Sequence, residues 1–96
     1  MLTSKDKKYL RKLSHEIQPI FQVGKSGVNE NMTTQISEAL EKRELIKVSV
    51  LQNNFEDNRE VADQLAKETG SHIVQVIGNT IILYKESEEN KQIHLP

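Results

Sequence analysis

Residues 19–28 read Pro19-Ile20-Phe21-Gln22-Val23-Gly24-Lys25-Ser26-Gly27-Val28. Pro19 has no backbone N–H to donate, so a helix arriving from the N-terminal side must end before it. Ile20 to Val23 is a short apolar run and reads as a strand. Gly24 and Gly27 break that strand. From about Asn29 to Arg43, Met32, Ile36, Ala39 and Leu40 then recur at the spacing of one helix face. The two glycines therefore stand at a strand-to-helix junction, and the pattern on either side of it points to a mixed α/β fold.

Upstream of the junction, Thr3 or Ser4 can cap a first helix, with Asp6 favourable in its first turn. Leu10, Leu13 and Ile17 supply the apolar face. At 100° per residue, Lys8, Arg11, Lys12 and His15 fall opposite these positions, so the helix has a basic back. Downstream, Leu45 to Leu51 alternates, with Ile46, Val48 and Val50 on one face and Lys47 and Ser49 on the other, the period of a half-buried strand. Asn53 to Asn58 is a polar loop carrying Phe55. Asp57 can cap a third helix, with Glu60 in the reciprocal capping position and Val61, Ala62, Leu65 and Ala66 facing inward. Gly70 stops that helix. His72–Ile77 and Thr80–Tyr84 flank Gly78-Asn79, a pair in which both residues tolerate positive φ, and so read as a hairpin. Beyond Lys85 the chain is polar, and residues 87–96 are expected to form a mobile tail. The order is α-β-α-β-α-β-β. It predicts one α/β domain with a four-stranded mixed sheet packed with helices, parallel pairing among the first three strands and an antiparallel closing hairpin.

A chain of 96 residues holds one core, and 35% apolar residues suffice for it. Cysteine is absent, which removes disulfides and thiolate chemistry and suits a reducing, cytoplasmic setting. No apolar run approaches the roughly 20 residues of a membrane span, and the N-terminus leads into no signal-peptide core, so no membrane partner is expected. The net charge of −1 hides an uneven distribution. Residues 1–25 carry six basic and two acidic side chains, a net of +4. Residues 26–71 carry five and nine, a net of −4, and residues 72–96 two and three, a net of −1. Such a split can present a basic face to phosphate while the rest stays acidic, although a solvated helix face explains the same charges equally well.

The glycine junction is the feature with chemistry. Backbone N–H groups and the positive end of the helix dipole favour an anion there, Lys25 adds a charge, and Ser26 a hydroxyl donor. Glycines admit a phosphodiester without a Cβ in the way. A GxxG loop of this kind clamps nucleic acid in KH domains, yet two glycines at such a junction are more often turn geometry alone. Sharper alternatives fail on the letters. A nucleotide-binding P-loop needs a glycine where Pro19 stands. A hydrolase based on Ser26 lacks a nucleophile elbow and a clustered base, since His15, His72 and His94 are scattered. The same scatter, without cysteine, offers no metal site, and no cofactor motif is present. The reading is a binding protein and not an enzyme.

Ile20-Phe21-Gln22-Val23-Gly24-Lys25-Ser26-Gly27-Val28, Ala39-Leu40-Glu41-Lys42-Arg43-Glu44-Leu45-Ile46-Lys47-Val48, Thr69-Gly70 and Val74-Gln75-Val76-Ile77-Gly78-Asn79-Thr80-Ile81-Ile82-Leu83-Tyr84-Lys85 resemble, in order and spacing, the CRM domain, named for chloroplast RNA splicing and ribosome maturation. The resemblance covers about residues 3–86 and is nearest to the stand-alone bacterial YhbY-type proteins. It implies an RNA-binding domain over residues 1–86, with a fold similar to the C-terminal domain of translation initiation factor three. The implied site is the Gly24, Lys25, Ser26, Gly27 loop. The basic patch that joins Lys25 to Lys8, Arg11 and Lys12 rests on the helical wheel as well as on the family. The implied role is non-catalytic binding of precursor large-subunit ribosomal RNA during assembly of that subunit, and nothing suggests an obligate dimer. In many relatives the last hairpin is more basic, with an arginine at its end. Here Asn79 and Lys85 hold those places, which implies a weaker contribution from the hairpin. With only Tyr9, Phe21, Phe55 and Tyr84 as aromatics, and Phe21 and Tyr84 expected in the core, recognition should rest on RNA backbone and shape. The competing reading is a protein-interaction module on the ribosome or an assembly factor, using the acidic middle segment and the sheet.

Overall fold

The computed structural model describes residues 2–24, 27–51 and 57–96. Helix α1 (Ser4–Ser14) opens on a full capping box. The Thr3 hydroxyl accepts from the Asp6 N–H and the Asp6 carboxylate accepts from the Thr3 N–H, both at 3.0 Å. Strand β1 (Pro19–Val23) follows at one edge of the sheet, where a leading proline loses no ladder bond. Helix α2 (Glu30–Arg43) crosses over to β2 (Leu45–Val50), and α3 (Asn58–Thr69) ends at Gly70, left-handed with φ +67°. β3 (His72–Ile77) and β4 (Thr80–Tyr84) close the chain order that the sequence predicts. In the turn between them only Gly78 adopts positive φ, +54°, whereas Asn79 does not.

The sheet order is β1-β2-β4-β3. β1 and β2 pair in parallel, and β4 runs antiparallel to both β2 and β3. The expected parallel pairing among the first three strands therefore holds only for β1 with β2. β4 inserts between β2 and β3 because it is the strand that needs cover on both faces: Ile81, Ile82, Leu83 and Tyr84 are all buried. β3, with His72 and Ile77 exposed, takes the far edge.

Two cores follow from this layering. On one face, α2 and α3 place Ile36, Leu40, Val61, Ala62 and Leu65 against Val23, Ile46, Val48, Val50, Ile81 and Leu83. On the other, α1 places Leu10 against Leu45, Val74, Ile82 and Tyr84, with Leu13 and Ile17 alongside. Ile93 and Leu95 of the C-terminal segment pack against this second core, and Ser87 is buried. The segment expected to be a mobile tail is thus docked on the domain. Its polar composition conceals the reason, which is a set of backbone N–H groups held by the Glu41 and Glu44 side chains.

Candidate nucleic-acid interface

The 100° rotation per residue in α1 turns Leu10 and Ser14 into the sheet and leaves Lys8, Lys12 and His15 exposed, with Arg11 half-exposed on the flank. The structure thus places three of the candidate binding residues, Lys8, Arg11 and Lys12, on one accessible side of the helix. Among the described residues the ion pairs are Arg59 with Asp63 and Lys91 with Glu86, so none of these three cations is neutralised by a described partner. Arg11 and Lys12 also lie in the last helical turn, where positive charge is favoured.

At the end of β1 the Gly27 N–H donates to the Gly24 carbonyl at 3.0 Å, closing a tight turn. Gly27 has φ +75° and is buried. Its glycine is required by the backbone conformation more than by an approaching ligand. Lys25 and Ser26, the other members of the expected loop, lie outside the described residues. Val28 and Asn29 separate the turn from α2. The Asn29 side chain accepts from the Met32 N–H at 2.8 Å, and Glu30 occupies the first turn, so the helix start is already partly capped and carries its own negative charge. The N–H groups of Glu30 and Asn31 remain for an anion.

The last hairpin is engaged structurally. The Asn58 side-chain amide donates to the Gly78 carbonyl at 2.7 Å and to the Asn79 side-chain oxygen at 3.1 Å, and the Val50 N–H donates to the Asn79 carbonyl. The Lys85 ammonium donates to the Thr69 carbonyl at 3.2 Å, at the C-terminal end of α3. Asn79 and Lys85 therefore have partners within the fold. Two aromatics behave as core, Phe21 packing on the α2 and α3 side and Tyr84 buried on the α1 side, whereas Tyr9 is exposed on α1 and Phe55 lies outside the described residues. Burial, then the nearby Glu44 and Glu86 carboxylates, push the Tyr84 phenol above its usual pKa.

Sequence reasoning missed an acidic clamp. Glu44, fully buried at φ +66°, accepts the backbone N–H groups of Ser87, Gln92 and Ile93 at 2.8, 2.6 and 2.7 Å. Glu41 accepts the N–H groups of Glu88 and Glu89, each at 3.0 Å, and the Ser87 hydroxyl at 2.7 Å. The Glu88 N–H, with Ser87 and Glu89, holds the Glu41 carboxyl down from the ordinary 4.5 to about 2. Burial alone would raise Glu44, but its three N–H donors and the Lys91 charge outweigh burial and lower it. The donors lie 43 to 49 residues further along the chain, and most are main-chain groups, which leave no mark in the amino-acid pattern. His72 and His94 line one cavity of about 400 Å³ with Tyr84, Glu86 and Lys91, while His15 stands apart on α1. Among the described residues no group of three or more His, Cys, Asp or Glu side chains is arranged to hold a metal. No helix of the described residues is long and apolar enough to cross a membrane.

Fold and surface together define a small α/β domain that carries, on one side of its sheet, a basic helix whose Lys8, Arg11 and Lys12 have no ionic partner among the described residues, and a glycine turn at one end of it. The chain belongs to the CRS1 / YhbY (CRM) domain family, whose model matches residues 2–85. It is 66% identical over 96 residues, the whole of both chains, to the "Probable RNA-binding protein YqeI" of Bacillus subtilis. It is 37% identical over 95 residues to an "RNA-binding protein" of Haemophilus influenzae, covering 99% of this chain and 95% of that one. The solution structure of SAV1595 from Staphylococcus aureus, 61% identical, superposes over 100% of both chains with a TM-score of 0.84. The resemblance to the stand-alone bacterial YhbY type and the expected single α/β domain are both borne out.

Proposed function

We propose that this protein binds structured RNA without catalysing a reaction on it. The observation that carries the reading is the accessible side of α1, where Lys8, Arg11 and Lys12 have no ionic partner among the described residues. Curated relatives named as RNA-binding proteins support it. Phosphates settle along α1 and at the Gly24–Gly27 turn, where Lys25 adds charge, Ser26 a hydroxyl donor, and the Glu30 and Asn31 N–H groups short-range contacts. Glu30 keeps the start of α2 a secondary contact, so α1 supplies most of the attraction. With Phe21 and Tyr84 in the core and Tyr9 the one exposed aromatic among the described residues, the protein reads backbone and shape rather than a base sequence.

The target in this proposal is precursor large-subunit ribosomal RNA in the cytoplasm. The protein acts there as a monomeric assembly factor that holds an RNA fold while other components join. RNA crosslinking and sequencing in cells tests it, comparing the wild type with a folded Lys8→Ala, Arg11→Ala, Lys12→Ala, Lys25→Ala variant. Crosslinks concentrated on precursor large-subunit RNA and abolished in the variant are the expected result. Crosslinks that are absent, or indifferent to the four substitutions, overturn it in favour of a protein-interaction role.

A further inference from the structure

The α1 side of the sheet is only partly covered. α1 and the C-terminal segment close over Leu45, Val74, Ile82 and Tyr84. Strand alternation puts Lys47 and Ser49 on this same side, and the ladder continues the face across three strands. Lys47 pairs with Ile82, and Ser49 sits between Thr80 on β4 and Gln22 on β1. A shallow depression of about 170 Å³ lies at this place, lined by His15, Lys47, Gln75, Ile77 and Thr80 around the buried Ile82.

Three observations identify what this surface accepts. Its lining contains Lys47 and His15 and no acidic residue, whereas the Glu41 and Glu44 clamp serves the tail elsewhere. The side chains of Gln22, Lys47, Ser49, Gln75 and Thr80 make no hydrogen bond or ion pair to a described residue. The surface is also continuous with both parts of the proposed interface. His15 at one rim directly follows the last turn of α1, which holds Arg11 and Lys12. At the other end the row Thr80, Ser49, Gln22 leads to Val23 and Gly24, where the Leu51 N–H donates to the Val23 carbonyl.

We infer that this open sheet face is a binding site for the ribose–phosphate backbone of an RNA strand, joining the α1 cations to the glycine turn in one track. Lys47 takes a phosphate, and the hydroxyl of Thr80 and the amide of Gln75 take ribose 2′-hydroxyls, the group that separates RNA from DNA. The inference rests on the RNA-binding reading above, and adds where the strand runs and which sugar it carries.

The test is equilibrium binding of an RNA hairpin with single-stranded flanks, and of its all-DNA counterpart, to the full chain and to Lys47→Met, Thr80→Val and a Lys8→Ala, Arg11→Ala, Lys12→Ala variant. Lys47→Met keeps the aliphatic stem against Ile82 and Thr80→Val keeps the shape. Circular dichroism checks folding, and Lys47→Arg serves as a charge-preserving control. The expected result is a roughly tenfold affinity loss for Lys47→Met with a log–log salt slope lower by about one unit, and a narrower RNA-over-DNA preference for Thr80→Val. If the α1 variant loses binding while folded Lys47→Met and Thr80→Val match the wild type, the sheet face is not the track, whatever else it docks, and the RNA reading stands. If the wild type binds no RNA, the RNA reading falls and this inference with it.

Discussion

The carboxylate of Glu44 accepts the backbone N–H of Ile93 at 2.7 Å, joining the α2–β2 corner to a segment 49 residues further along the chain. The same carboxylate holds Ser87 and Gln92, and does so from a backbone conformation that side-chain-bearing residues rarely adopt, φ +66°. Two opposing effects therefore meet at one position. A left-handed residue with a Cβ costs roughly 1–2 kcal/mol, and removing the acceptor leaves main-chain donors to find water. Glu44→Ala should lower stability by about 2 kcal/mol and free the tail. Glu44→Gly should free the tail equally but recover about 1 kcal/mol of that loss by relaxing the backbone. Urea denaturation with hydrogen exchange at residues 87–93 measures both. A glycine variant no more stable than the alanine variant contradicts the strain assignment.

Tail docking should depend on pH in a definite direction. Glu41 is lowered from 4.5 to about 2 by the Glu88 N–H, the Ser87 hydroxyl and the Glu89 N–H, and Glu44 is lowered too. A carboxyl with a depressed folded-state pKa stabilises fully above its unfolded pKa, and the contribution fades as pH falls towards the folded value. The clamp should be intact from neutrality down to about pH 4.5 and loosen between there and about pH 2. Amide chemical shifts of Ser87, Glu88 and Glu89 followed by NMR should titrate in that window. Glu41→Gln should remove most of the response at Glu88 and Glu89. A midpoint at the ordinary carboxylate value would show that the clamp does not hold in solution.

Gly27 carries φ +75° within a hydrogen-bonded turn. Gly27→Ala should destabilise the domain by about 1–2 kcal/mol, with Gly27→Asn milder because asparagine tolerates that region. In a folded Gly27→Ala protein, displacement of the turn should also weaken RNA binding. Thermal denaturation and RNA titration of both variants check this. A stable Gly27→Ala variant with wild-type affinity would remove the turn from the interface.

Local patterns in the sequence carried much of the architecture. Thr3 and Asp6 marked the start of α1, the alternation from Leu45 marked β2, and Gly70 ended α3, because caps and periods are short-range effects. Strand order was less legible. The Ile81-Ile82-Leu83-Tyr84 run signals cover on both faces, but a continuous apolar strand could equally have served a parallel arrangement, and only the assembled sheet puts β4 between β2 and β3. The tail was illegible for a physical reason, since most of the donors that Glu41 and Glu44 hold are backbone N–H groups far along the chain. Of the candidate site, the wheel reading of Lys8, Arg11 and Lys12 as an accessible group agrees with their placement on α1. At the glycine junction the sequence did not show that Gly27 is buried or that Asn29 caps α2, since both depend on the assembled turn.

In the proposed function, cations on α1, with Lys25, bind RNA phosphates. The most direct measurement is the affinity of the purified protein for a structured RNA across a salt series, alongside the folded Lys8→Ala, Arg11→Ala, Lys12→Ala, Lys25→Ala variant. Weaker binding is expected for the variant, with a log–log salt slope lower by about one unit for each phosphate that it no longer neutralises. A folded variant with the affinity and slope of the wild type would contradict it.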